Sequence, residues 1–434
     1  MPGSRRGRTY QAEWEYDPNH PDNLDIAPSW DRVKSQAHHA PAGSREDESA
    51  IASTSELVAE DRWQQDSAED IEQWGIAGRI WEAAYLFKLY LCPPRESVEF
   101  DPPCPLFAPH EEIRSKIEGS ANAALRILEL GSGAGYVGLS CAQELDRYRR
   151  SREASGSQSR RNDRLVLTDL ENVVPLMIRN ARLAGFSDAC SNGGNTEAAT
   201  SRSSFVDVLV RPLPWGSAPH AASILQKELY QQPLDYILCS DLVYFPYLLP
   251  PLLRSLLDLT DPSAAASHIP SQCPETAAPS RPVVLMAYKI RSYAKEEAFW
   301  SALGVWFDVE IVSCRYSWPL ESPPSQAKGD IVGQRQDMRE KRREGAWHRF
   351  GEDAEWEEEQ ESSDDAYFLF AARRKPSTLA YKAPEDDIKL MDGFMAVSRT
   401  HDSRGDTADQ EELVRGEGGA DFIEWALMGS MDMT

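Results

Sequence analysis

ILELGSGAGYVGLSCA, residues 127–142, is the stretch that decides the fold. An apolar run ends in Glu129 and Leu130, the next five positions carry Gly131, Gly133 and Gly135, and apolar residues then resume at helical spacing. That order reads as strand, tight glycine loop and helix, which brings backbone amides close to a nucleotide-like ligand. Gly133, Gly135 and Gly138 also satisfy G-x-G-x-x-G, a weak pattern when it stands alone.

Working outward, further strand-like runs follow: RLVLTD (164–169), FVDVLV (205–210), LDYILCSD (234–241), PVVLMAY (282–288), WFDVEIV (306–312) and YFLFAARR (367–374). Helical patterns alternate with the early ones at 137–148, 171–185 and 246–259, and another covers 292–303. Continuous apolar strands alternating with helices indicate an α/β fold, a parallel sheet covered on both faces. The last two runs are separated by a long polar excursion and are expected to close the sheet as an antiparallel pair. Upstream, Ile80, Ala83, Ala84, Phe87 and Leu91 fall at helical spacing, with Trp81 at the start of that helix.

Residues 1–50 are polar and rich in Pro and charge, and are expected to be disordered. Polar insertions are expected near 151–163, 187–204, 261–282 and 321–366, the last basic and then acidic, with an acidic, mostly flexible tail over 376–434. In that tail, Phe422, Trp425 and Met428 read either as a short docking helix or as a weak fragment.

The 434 residues carry 46 lysines and arginines against 70 aspartates and glutamates, a formal net charge of −24. That balance argues against general affinity for nucleic acid and permits a basic protein partner. Seven cysteines form no C-x-x-C pair, as suits buried thiols in a reducing compartment. The N-terminus has no apolar core for a signal peptide, and no run is long enough to span a bilayer. The expectation is a soluble monomer of the cytoplasm or also the nucleus, with no membrane partner and no metal site.

The ligand is chosen by the residues around the loop. A carboxylate at Glu129 repels a pyrophosphate but favours the ammonium and sulfonium of S-adenosyl-L-methionine. Asp169, at the tip of the next strand, can accept hydrogen bonds from both ribose hydroxyls; its plainer reading is an acid at a helix N-terminus. Trp215 of LPWG (213–216) can stack on adenine or be ordinary core. Ser240, Asp241 and Tyr244 end the following strand, at the edge where α/β ligands sit; their plainer reading is a helix cap followed by a packed aromatic.

GRIWEAA (78–84), ILELGSGAGYVGLSCA, LTDLENVVPLMIRNA (167–181), LPWG and DYILCSDLVYFPYLLPPLL (235–253), in that order, resemble the seven-β-strand protein lysine methyltransferases of the methyltransferase-like 21 group. The resemblance implies a Rossmann-like class I sheet of seven strands with its last strand antiparallel, in a domain spanning 51–375. It implies S-adenosyl-L-methionine as methyl donor, held by Glu129, Gly131, Ser132, Gly133 and Gly135, with Asp169 on the ribose, Trp215 at the adenine, Trp81 packed against the donor and Ser240 beside it. Asp241 and Tyr244 match the family's D-x-x-Y motif, expected beside the acceptor amine, where Asp241 would position the amine or help accept its proton. Glu82 departs from the family, which has proline there, and the insertion before the last strand is unusually long. The function implied is methylation of a lysine in a non-histone protein such as a translation factor, ribosomal protein or chaperone. The rivals are a small-molecule N-methyltransferase and a non-catalytic binder that retains the fold.

Overall fold

The alternation of inward and outward apolar residues along the strands sets up two cores, one on each face of a single sheet. The computed structural model describes residues 62–92, 98–106, 124–154, 162–186, 204–229, 232–262, 281–316, 347–351, 367–397, 412–419, 421 and 423. The expectations for 1–50, for most of the four insertions, and for Phe422, Trp425 and Met428 lie outside these residues.

The sheet comprises β2 (Arg126–Leu130), β3 (Asp163–Asp169), β4 (Val206–Pro212), β5 (Tyr236–Ser240), β6 (Val283–Lys289), β7 (Phe307–Ile311) and β10 (Tyr367–Arg374), in the spatial order β4-β3-β2-β5-β6-β10-β7. The pairs among β2 to β6 are parallel, and β10 inserts antiparallel between β6 and β7. This is the expected seven-stranded architecture with the last strand reversed. The chain winds outward from β2 to β4 and then returns to the other side of β2 with β5, so the topological switch point lies between β2 and β5.

One core packs Ile127, Leu165, Leu167, Leu238 and Leu285 against the helices α2 (Glu82–Leu91), α3 (Tyr136–Ala154) and α4 (Val174–Leu183). The other packs Leu128, Val166, Ile237, Cys239 and Met286 against α6 (Leu249–Leu259) and α7 (Tyr293–Trp306). Neighbouring residues of one strand thus serve opposite cores, which is why the strands read as unbroken apolar runs. A short α1 (Ala68–Trp74) leads into α2, and α5 (Ala218–Ser223) follows β4. A small antiparallel sheet of β1 (Val98–Asp101), β8 (Ser313–Tyr316) and β9 (His348–Arg349) lies beside the main one.

Two stretches differ from the sequence expectation. Helix α3 runs on to Ala154, past the residue at which an insertion was expected to begin. Ion pairs Arg147–Glu144 and Arg150–Asp146, at helical spacing, and Arg149–Asp163 back to β3 carry it there. Part of the expected flexible tail is also folded: β11 (Tyr381–Lys382), α8 (Asp387–Met391), β12 (Phe394–Val397) and β13 (Leu413–Arg415) form a second small sheet and a helix over α7. Leu390, Met395 and Ile423 join the core there, and Gly416 lies against Val305. Among the described residues no helix is long and apolar enough to cross a membrane.

Arg374 joins this region to the sheet. Only 4% exposed, it donates to the Leu257 carbonyl at the C-terminal turn of α6 at 2.9 Å and to the carbonyls of Thr378 and Tyr381 at 3.3 Å. Its guanidinium lies over the Trp306 ring, and burial pulls its pKa down to about 10. Arg374→Met is therefore expected to cost about 2–4 kcal/mol of stability, because three carbonyls lose a charged donor. Urea denaturation of the two proteins measures it.

Candidate active site

The switch point opens into a cavity of about 510 Å³, bounded by the ends of β2, β3 and β5, by residues 74–84 and by the segment 213–215. Trp81, Glu129, Gly131, Ser132, Gly133, Asp169, Trp215, Ser240, Asp241 and Tyr244 all line it. Of the sequence candidates only Gly135 does not. Its role is in the loop: φ is positive at Gly131, Gly133 and Gly135 alike, a backbone path that favours glycine.

Glu129 is buried at the tip of β2, and its Oε2 accepts the Gly138 amide at 3.1 Å. Gly138 stands in the first turn of α3, so the strand's carboxylate satisfies one of the helix's free N-terminal amides. A methyl group at Gly138 would lie 2.4 Å from Leu167 Cδ2 and 2.5 Å from Glu129 Oε2, which explains the third glycine of the motif. Burial pushes the Glu129 carboxyl up to about 8, opposed by the Ser132 hydroxyl and the Gly138 amide, neither of which is charged. The Ser132 hydroxyl donates to the Glu129 carbonyl and accepts the Thr168 amide, so it ties β2 to β3.

Asp169 is not a helix cap, since α4 begins only at Val174 and has no side-chain cap. Its Oδ2 accepts the Gly133 amide at 2.8 Å and its Oδ1 the Leu170 amide at 2.7 Å, so it braces the glycine loop. Each oxygen keeps a further accepting position for a ligand. Burial raises its pKa. Trp215 approaches Gly131 closely enough that a Cβ there would lie 3.0 Å from the indole, and it meets Tyr244 edge-on at 6.2 Å. Gly216, with positive φ, donates its amide to Ser255 of α6 and fixes the LPWG turn.

On the opposite wall, Asp241 is held by Arg291 through both carboxylate oxygens, Nη1 to Oδ1 at 2.7 Å and Nη2 to Oδ2. Trp81 caps α2 and donates its Nε1 to the Ile76 carbonyl; the guanidinium carbons of Arg79 and Arg291 lie 4.4 and 5.4 Å from its ring centroid. Arg79 also pairs with Glu82, the residue that stands in place of proline. The Tyr244 hydroxyl is pushed up by burial foremost and then by Asp169. Ser240 Oγ is buried without a hydrogen-bond partner among the described residues, a polar atom left for a ligand. At the mouth, Tyr247 and Leu170 are about half exposed, and Tyr247 stacks on Phe245 at 5.5 Å.

Sequence reading passed over Arg291, Arg79, Gly138 and Tyr247. Gly138 was visible as the last glycine of the motif. Arg291 carried a signal too, standing two residues past β6 at the sheet edge where the other site residues lie.

The Glu129 environment has a measurable consequence. In the folded protein this carboxyl titrates near 8, against 4.5 ordinarily. The native state therefore keeps a proton the unfolded chain has lost, and stability falls as pH rises from about 4.5 to about 8. Glu129→Gln is expected to remove that slope and to raise the unfolding temperature of the ligand-free protein at pH 8, while leaving it nearly unchanged at pH 4. Thermal unfolding at several pH values checks this.

Residues 61–304 match the family described as lysine methyltransferase. The protein-lysine N-methyltransferase EFM6 of Saccharomyces cerevisiae is 28% identical over 233 residues, 53% of this chain and 71% of that protein. A solved structure described as a pericyclic reaction enzyme covers 84% of this chain at 11% identity and a TM-score of 0.22, with the chain spanning 62% of that structure, a likeness that carries no argument. With more than half of its residues inside the family match, the chain belongs to the lysine methyltransferase family.

Proposed function

We propose that this protein transfers a methyl group from S-adenosyl-L-methionine to a lysine amine of a non-histone protein. The observation that carries this reading is the Glu129 carboxylate, buried in the cavity wall and met there by neutral donors alone. No cation is among the causes that set its pKa, and a ligand ammonium would supply one. Asp169, on the adjoining strand, offers accepting positions for two ribose hydroxyls, and the Trp215 indole offers a face or edge to adenine. The orphaned Ser240 hydroxyl adds a donor on the β5 side. These residues fit the methyl donor.

When bound, the donor supplies a sulfonium methyl: the N–C bond forms as the S–C bond breaks, the electron pair stays on sulfur, and a proton leaves the nitrogen. This chain's residues have two tasks, to align the acceptor and to keep its amine neutral. A lysine of pKa about 10.4 is mostly charged at neutral pH, and transfer from water into a narrow apolar channel lowers that value. Tyr244, Phe245 and Leu242 contribute apolar surface to the cavity. The exposed Tyr247 and Leu170 at the mouth suit contact with a folded or extended polypeptide. The net charge of −24 favours a basic one. The name of the yeast relative points to the same acceptor.

The deciding experiment is transfer of labelled methyl from S-adenosyl-L-methionine into a hypomethylated cell extract. A discrete labelled protein band, mapped to lysine and lost with Asp241→Ala, is the expected result. Label confined to small molecules would reverse the choice of acceptor, and absence of donor binding would make the protein a binder that only retains the fold. Asp169→Ala is expected to weaken donor affinity about tenfold to a hundredfold, the loss of hydrogen bonds to a charged acceptor. Titration calorimetry measures it.

A further inference from the structure

We propose that Arg291 is the positioning residue of the acceptor side: by clasping Asp241 it presents the incoming lysine with a neutral ion pair in place of a lone carboxylate. The inference rests on the lysine methyltransferase reading of this cavity, and it changes what the aspartate of the D-x-x-Y motif does there.

The geometry is a two-point clamp. Arg291 Nη1 and Nη2 each hold one oxygen of Asp241, and the Lys289 amide reaches Oδ1 at 3.4 Å. The two side chains are 3% and 0% exposed, so water screens neither. The Asp241 backbone is held as well. It has φ +58, the one positive value at a non-glycine position among the described residues, and its amide donates to the Ala287 carbonyl at 2.8 Å. A strained backbone at the end of β5 persists only where its surroundings over-determine it, and the guanidinium supplies that constraint from the end of β6.

The charges around the pair are accounted for element by element. From α2 comes Glu82, already paired with Arg79. From α7 comes Glu296, which accepts the Ser292 amide at 3.1 Å and the Tyr288 hydroxyl, and whose pKa burial raises. From the segment after β5 comes Tyr244, which Asp169 at the tip of β3 also faces. Lys289 of β6 turns its ammonium toward the Tyr367 ring at 5.4 Å. Trp81 lies beneath the guanidinium. Among the described residues Asp241 is thus the one carboxylate that Arg291 holds by hydrogen bonds.

An unpaired carboxylate within about 4–6 Å of the lysine would raise the amine's pKa by about 1–3 units and trap it as ammonium, the form without a lone pair. Pairing with Arg291 cancels that field. Asp241, with both oxygens held by Arg291, then does not act as the base, and the proton leaves to water.

The two charges push the amine in opposite senses, which makes the idea testable. The rate of labelled transfer into the wild-type band is followed against pH for wild type, Arg291→Gln, Arg291→Lys, Asp241→Asn and the double variant, with donor affinity and unfolding temperature measured beside it. Arg291→Gln leaves a lone carboxylate, so its profile is expected to move alkaline by about one unit or more. Asp241→Asn leaves a lone guanidinium, so its profile moves acid. The double variant returns to the wild-type position at reduced rate, Arg291→Lys stays near it, and donor affinity holds throughout. If Arg291→Gln does not fold, the double variant decides: it returns to the wild-type position where the pair acts as a unit and stays with Asp241→Asn where Arg291 has no part. A variant set that loses stability but keeps the wild-type profile, or an Asp241→Asn profile that moves alkaline, overturns the inference alone. A wild type that binds the donor but labels no protein lysine overturns the function reading, and the inference with it.

Discussion

A buried carboxylate hitched to a helix amide is the contact on which the site depends. Glu129 closes β2, and its bond to Gly138 fixes where α3 starts relative to the sheet. That one bond sets the path of the glycine loop between them, so the loop's amides and the Asp169 brace follow from it. The arrangement carries a cost. The carboxyl is desolvated with no cation beside it to offset the burial, and its pKa rises accordingly. Sites of this kind trade stability of the empty protein for affinity toward a cationic ligand.

The opposite wall solves the inverse problem. Asp241 is equally buried, yet Arg291 neutralises it. Two carboxylates at the tips of neighbouring strands therefore carry different electrostatics: one awaits a positive ligand, the other already has its partner. A methyl donor is cationic, and a lysine acceptor must be neutral to react, so the division matches what each side of the cavity would receive.

Beyond the matched residues 61–304, the chain keeps building on the same sheet. β7 and β10 complete it, and β11 to β13 with α8 cover α7. Gly304, at the last matched position, lies so close to Gly419 that a Cβ would come within 2.2 Å of its carbonyl. Arg254 of α6 pairs with Asp387 at 2.8 Å, and Arg374 closes the end of α6. This cover holds the helices behind β5 and β6, whose tips carry Asp241 and Arg291.

The sequence by itself determined the order of strands and helices, the glycine loop and the residues at the strand tips. Those features are local: apolar runs, glycine spacing and chain position suffice, and in a parallel sheet the strand tips are where a ligand sits. Glu129, Asp169, Trp215 and Asp241 were legible for that reason. Tertiary structure alone decided what each of them touches. The Asp241 clamp joins residues 50 positions apart, the folded segment after Lys375 draws its apolar contacts from α7, and the Glu129 bond spans a loop whose path no periodicity records. Pairing between distant side chains depends on how the sheet is wound, and burial, which sets each group's charge, exists only once both faces are covered.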